Sequence, residues 1–253
     1  MRGRLHVPIL LFALLPGPSY ADDAITVAVA SNFATAAREL SSQFTTESDI
    51  EVRLSFGSTG KLYAQIVHGA PFDIFLAADT ERPLLLEGSG HGVAGMRFNY
   101  ASGALVLWST DPSLSGRDCR EALMNGDFRR LALGNPITVP YGQAARDVLA
   151  HLKLWDDAHQ RLVFGENVAQ VLQFTATGNA TLGFIAQSQT LQPERPVATC
   201  SWPVPESMHE PINQQLVLLS RAADNPAAKE FVVFMRSPAA REIIMAHGYG
   251  VPR

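Results

Sequence analysis

The sequence predicts an α/β protein of two lobes, each a mixed sheet flanked by helices, with a cleft between them. Three observations carry that expectation. Strand-like and helix-like stretches alternate along the chain, the pattern of sheets covered by helices. The alternation falls into two series of similar size. The 253 residues are 47% hydrophobic and 17% charged, enough to bury a substantial core in one or two domains.

The first segment is set aside. "MRGRLHVPILLFALLPGPSYA" has two arginines, an apolar run from Pro8 to Leu15, a helix-breaking Pro-Gly-Pro, and Ser19-Tyr20-Ala21 at its end. The apolar run is far shorter than the ~20 residues needed to span a bilayer. It reads as a secretory signal peptide, residues 1–21, cleaved after Ala21. No cysteine stands directly after the cleavage point, so release rather than lipid anchoring is expected, into the periplasm of a two-membrane cell.

In the first series "ITVAVA" (25–30) is a buried strand and "ATAARELSSQF" (34–44) an amphipathic helix. "EVRLSF" (51–56) is a second strand, and Ser58 opens a helix carrying Leu62, Ile66 and Val67 on one side. "FDIFLAA" (72–78) is a third strand, followed by a short helix, "TERPLLLEG" (80–88).

The second series starts with "YASGALVLWS" (100–109) and the helix "DCREALMN" (118–125). The strand "LALGN" (131–135), the helix "QAARDVLAHLKLW" (143–155) and the strand "RLVF" (161–164) come next. "VAQVLQFTATG" (168–178) is a helix and "TLGFIAQ" (181–187) a strand. A Pro-rich passage, 193–211, leads to the strand "QQLVLLS" (214–220), and two helices close the chain near 226–235 and 239–246. The chain thus crosses between lobes twice. Lobe 1 is expected over 22–103 plus 208–253, with lobe 2, 104–207, inserted into it. Ligands of such sheets sit where strands end and helices begin.

Composition and motifs exclude several functions. The formal charge is −4, with no basic run or aromatic-basic stripe, so nucleic acid is not an expected partner. "FGSTGK" (56–61) ends like a phosphate-binding P-loop but has Ser55 and Leu62 where that motif needs Gly and Ser or Thr. GxSxG and HExxH motifs are absent, and the seven histidines lack metal-ligand spacing. No nucleophile has a base, so no catalytic residue is assigned. Cys119 and Cys200 are an even pair in an oxidising compartment, which favours a disulfide; two buried free thiols are the alternative.

What recurs is small neutral donors at predicted helix starts. Ser31-Asn32 and Gly57-Ser58-Thr59-Gly60 end two strands of lobe 1. Tyr141-Gly142 and Asn167-Val168 precede two helices of lobe 2. Free N–H groups at a helix N-terminus, beside hydroxyl or amide side chains, suit an anion. Any one could be an ordinary cap; four, two per lobe, point to one site closing around one anion.

Those places also carry a family resemblance. "VAVASNF", "SFGSTGKLYAQIVHGAPFDIFLAAD", "YASGALVLWS", "NPITVPYGQAARDVL", "GENVAQ" and "ATLGFIAQSQ" resemble the periplasmic molybdate-binding proteins of molybdate ABC importers, from Ile25 to the C-terminus. The resemblance implies the two-lobed periplasmic-binding-protein fold and molybdate or tungstate as ligand, with no cofactor and no bare metal cation. It implies an ABC permease of the inner membrane as partner, and a monomer. In one branch a Tyr follows the "LG" strand, where this chain has Ala186; the chain resembles the other branch, with Tyr141 before the lobe 2 helix and Asn32 after the lobe 1 serine. The implied shell is Ser31, Asn32, Ser58, Tyr141 and Val168. Ser31 and Ser58 would donate through hydroxyl and N–H, the other three mainly through N–H, with Ser31 and Asn32 also capping their helix. Lys61 and Arg146 are expected to add positive field from outside the shell. A receptor for another oxyanion such as sulfate, or a periplasmic enzyme on the same scaffold, are the alternatives.

Overall fold

A computed structural model describes residues 24–192 and 195–251; the expected signal peptide lies outside the described residues. The chain builds two five-stranded mixed sheets with one shared plan. In the first, β1 (Ile25–Ala30) lies between β2 (Val52–Gly57) and β3 (Ile74–Leu76), all parallel; β10 (Ile212–Leu218) runs antiparallel beside β3 and is edged by β4 (Phe98–Gly103). In the second, β6 (Leu131–Gly134) lies parallel between β7 (Leu162–Gly165) and β8 (Leu182–Ala186). There β5 (Leu105–Ser109) is antiparallel to β8 and is edged by β9 (Cys200–Pro203).

Helices cover both sheets: α1 (Ala34–Ser48), α2 (Thr59–Val67), α3 (Glu81–Gly88), α9 (Pro226–Phe234) and α10 (Pro238–Ala246) on the first. On the second they are α4 (Cys119–Met124), α5 (Pro140–His151), α6 (Trp155–Ala158), α7 (Val168–Ala176) and α8 (Gln187–Thr190). Strands β3, β5, β6 and β8 are buried at every residue, as expected of central strands covered on both faces. Phe33, Leu40, Phe44 and Phe231 fill one core; Leu133, Val148, Leu149 and Phe184 fill another. The Cys119 and Cys200 sulfurs are bonded, joining the start of α4 to β9 with Cα atoms 5.4 Å apart.

Sequence and structure part at several elements. The single strand expected over 100–109 is two, divided at Ala104. Gly103 pairs with Ile212 in the first sheet and Leu105 with Ala186 in the second, so long-range pairing cuts a locally continuous run. The Pro-rich passage holds β9, an edge strand on which Pro203 is tolerated. Helix α5 starts at Pro140, which suits a first helical position, and this places Tyr141 inside the first turn rather than before it. It stops at His151 instead of Trp155 because Lys153 takes φ 60° while the Leu154 N–H returns to the Leu149 carbonyl.

Candidate oxyanion site

Register explains why four distant segments share one place. Ala30 and Gly57, the last residues of β1 and β2, are Cα partners, so the turns after them, carrying Ser31-Asn32 and Ser58, lie side by side. In the second sheet Gly134 and Gly165 end β6 and β7 as partners, and the turns before α5 and α7 follow them. The Ser31–Phe33 turn in turn packs against α7 and α8 of the other lobe. Carboxyl ends of parallel strands from both sheets therefore meet at one seam.

Ser58 caps α2. Its buried Oγ accepts the Lys61 N–H at 3.3 Å. A hydroxyl that accepts through a lone pair still has its proton to give. Thr59 Oγ1 accepts the Ala78 N–H at 3.1 Å and pins the start of α2 to the end of β3. The N–H groups of this first turn have no intrahelical acceptor.

Ser31 and Asn32 differ from expectation: neither caps α1. They form a 3₁₀ turn with no side-chain cap, closed by the Ala34 N–H on the Ser31 carbonyl. The reason is tertiary. The Asn32 amide donates to Gln214 Oε1 at 2.9 Å and to the Tyr249 hydroxyl at 3.2 Å, and its carbonyl accepts from Tyr249 and Ser188. With the side chain so engaged, its backbone N–H is the group it can offer a ligand.

Tyr141 occupies the second helical position of α5, where the N–H again lacks an intrahelical acceptor. Its buried phenol accepts from Gln214 Nε2 at 3.4 Å. Gly142 lets α5 start hard against β6: a Cβ there would stand 2.1 Å from the Gly134 carbonyl oxygen. Val168 is the first residue of α7, after Asn167, whose Oδ1 accepts the Gln170 N–H at 3.0 Å. Gln189 Nε2 donates to the Val168 carbonyl at 3.2 Å and braces that turn from α8.

The two cations take other places. Lys61 Nζ lies 2.7 Å from Glu166 Oε2, an exposed ion pair joining the lobes at the rim. Arg146 is exposed, its guanidinium 5.7 Å from the Trp155 ring centroid on α6. The donors at the seam are thus neutral groups and helix starts, whose dipoles favour negative charge. Among the described residues no cluster of His, Cys, Asp and Glu could hold a metal ion.

Behind these turns lies a buried polar network that sequence reasoning missed: Tyr100, Ser188, Gln214 and Tyr249, linked to Asn32 and Tyr141. Tyr100 donates to Gln214 Oε1 at 3.1 Å, and Tyr249 meets Ser188 Oγ at 2.9 Å. Burial, and next the neighbouring Tyr249 phenol, hold the Tyr100 and Tyr141 phenols well above their ordinary value, and burial raises Tyr249. These hydroxyls are neutral. One local sign of the network is Gln214, a polar residue fully buried in β10.

A wider groove between the lobes, about 440 Å³, is lined by Asp79, Glu81, Asp147 and Glu210 against Arg82 alone. That charge repels a dianion, and burial raises the Asp79 pKa against the opposing pull of Arg82. The anion-compatible chemistry is at the seam.

The chain is similar to known proteins over most of its length. The family model described as bacterial extracellular solute-binding protein matches residues 25–250. The molybdate-binding protein ModA of Azotobacter vinelandii is 45% identical over 227 residues, covering 90% of each chain. That of Rhodobacter capsulatus is 40% identical over 225 residues, 89% of this chain and 87% of the relative. The solved Azotobacter vinelandii periplasmic molybdate-binding protein superposes with a TM-score of 0.85 over 90% of this chain and 100% of its own, at 38% identity. This chain belongs to the bacterial extracellular solute-binding protein family.

Proposed function

We infer that this protein captures molybdate, and with it tungstate, between its lobes and delivers it to an ABC permease in the inner membrane. The observation that carries this is the set of neutral donors at four strand ends, two per sheet, in a chain 45% identical to a molybdate-binding relative. The shell we assign is Ser31, Asn32, Ser58, Tyr141 and Val168. Fixed N–H and O–H groups replace the water of a tetrahedral dianion and include no carboxylate to take the proton of a protonated oxyanion, which disfavours hydrogen phosphate. Sulfate shares the charge and shape, so rejection of it rests on size: a smaller ion cannot reach donors from both lobes at once. We place lobe 1 at 22–103 plus 208–253 and lobe 2 at 104–207, in a monomer exported to the periplasm by a cleaved signal peptide. The chain is a binding protein rather than an enzyme.

Calorimetric titration with molybdate, tungstate and sulfate tests this reading. Molybdate and tungstate are expected to bind with similar affinity and sulfate far more weakly. Preference for sulfate, or heat only from a metal cation, would contradict it.

A further inference from the structure

Helix α2 begins where the first lobe touches the second. The Gly60 N–H donates to the Thr138 carbonyl at 2.9 Å, so this group is committed to the other lobe and not to a ligand. A Cβ at position 60 would stand 2.8 Å from Thr138 Cα and 3.1 Å from its carbonyl oxygen. Both are backbone atoms, so no change of rotamer makes room.

The opposing turn cannot easily retreat. Thr138 and Val139 both donate their N–H to the Asn135 carbonyl, and Ile137 donates to Asn135 Oδ1 at 3.0 Å. Arg82 Nη2 holds the Ile137 carbonyl at 2.7 Å from the first lobe, and the Lys61–Glu166 pair lies alongside. The backbone of Gly60 itself makes no demand for glycine: it sits inside α2 and is not among the glycines with positive φ. Within lobe 1 alone, alanine would be the better helix former. Only the approach of lobe 2 requires the missing side chain.

We infer that Gly60 is a closure-permitting residue, whose bare Cα lets α2 seat on the Asn135–Val139 turn and sets how completely the lobes close on the oxyanion. This rests on the function proposed above. Donors from both lobes reach one ion only when the lobes seat, so a side chain here weakens binding without touching any donor.

The test compares wild-type protein with Gly60→Ala in three measurements: melting without added oxyanion, calorimetric affinity for molybdate, and radius of gyration by X-ray scattering with and without saturating molybdate. Overpacking against rigid backbone should weaken binding by about tenfold or more. Melting should be unchanged or higher, and the variant should compact less than wild type at saturation. Equal affinity with full compaction overturns the inference. A lowered melting temperature without oxyanion, together with compaction as complete as in wild type, also overturns it, because the glycine would then be acting inside lobe 1. If wild type itself does not bind molybdate, the proposed function is at fault. Scattering without ligand then decides: the variant should be the more extended of the two, and identical profiles would remove the role of Gly60.

Discussion

The Tyr249 hydroxyl donates to the Asn32 carbonyl at 2.6 Å, joining two residues 217 positions apart. Through this bond the C-terminal segment after α10 braces the turn that follows β1. Tyr249 also meets Ser188 of the other lobe, so one phenol ties together both ends of lobe 1 and the start of α8.

Tyr249→Phe keeps the ring and removes that bond. The buried Asn32 carbonyl loses a donor, at a cost of about 1–3 kcal/mol in stability. Molybdate affinity should fall as well, because the Asn32 turn is no longer held. Urea denaturation and calorimetry check both; unchanged stability would show that Ser188 alone satisfies the carbonyl.

Ser58→Ala removes a helix cap and a donor together. Loss of the cap costs about 0.5–2 kcal/mol in stability. Loss of a hydrogen bond to a charged ligand weakens binding by about tenfold or more. Lys61→Met is the contrast: its ion pair is exposed, with side chains 49% and 67% accessible, and removing it should cost under about 1 kcal/mol. Titrations of the two variants rank them, and a larger loss for Lys61→Met would place charge above neutral donors.

Much of this was legible locally, and the exceptions share a cause. The strand 25–30 and the cap at Ser58 follow from neighbouring residues alone, through an apolar β-branched run and a serine before a helix. The role of Asn32 does not, because its partners Gln214 and Tyr249 lie 182 and 217 residues away. The same holds for β9 and for the break at Ala104, which exist through pairing with distant strands. Arg146 looked close to the site in sequence, yet α5 turns it outward onto Trp155.

The buried phenols make stability fall at alkaline pH. Tyr100, Tyr141 and Tyr249 keep their protons in the folded state to higher pH than in the unfolded chain. Their contribution is therefore intact below the ordinary phenol value near 10 and is lost as pH climbs above it, by up to about 4 kcal/mol per pH unit for three groups. Urea melts between about pH 9 and pH 11 measure the slope, which Tyr249→Phe should reduce by about a third. A flat profile would mean that the phenols are not shielded.

Reducing the Cys119–Cys200 bond opens a covalent loop with a sequence separation of 81 residues. The chain-entropy model gives a loss of about 4–5 kcal/mol. Denaturation midpoints of oxidised protein and of Cys119→Ser/Cys200→Ser report it. Equal midpoints would show that the bond adds nothing to lobe 2.

The central claim is that neutral donors from both lobes hold one tetrahedral dianion, and thermal unfolding with and without molybdate tests it most directly. At a hundred times its dissociation constant, molybdate should add about 2.7 kcal/mol of stability and raise the melting temperature, with tungstate close behind. A melting temperature unmoved by molybdate and tungstate, but raised by sulfate or by a metal cation, would contradict both the site and the function.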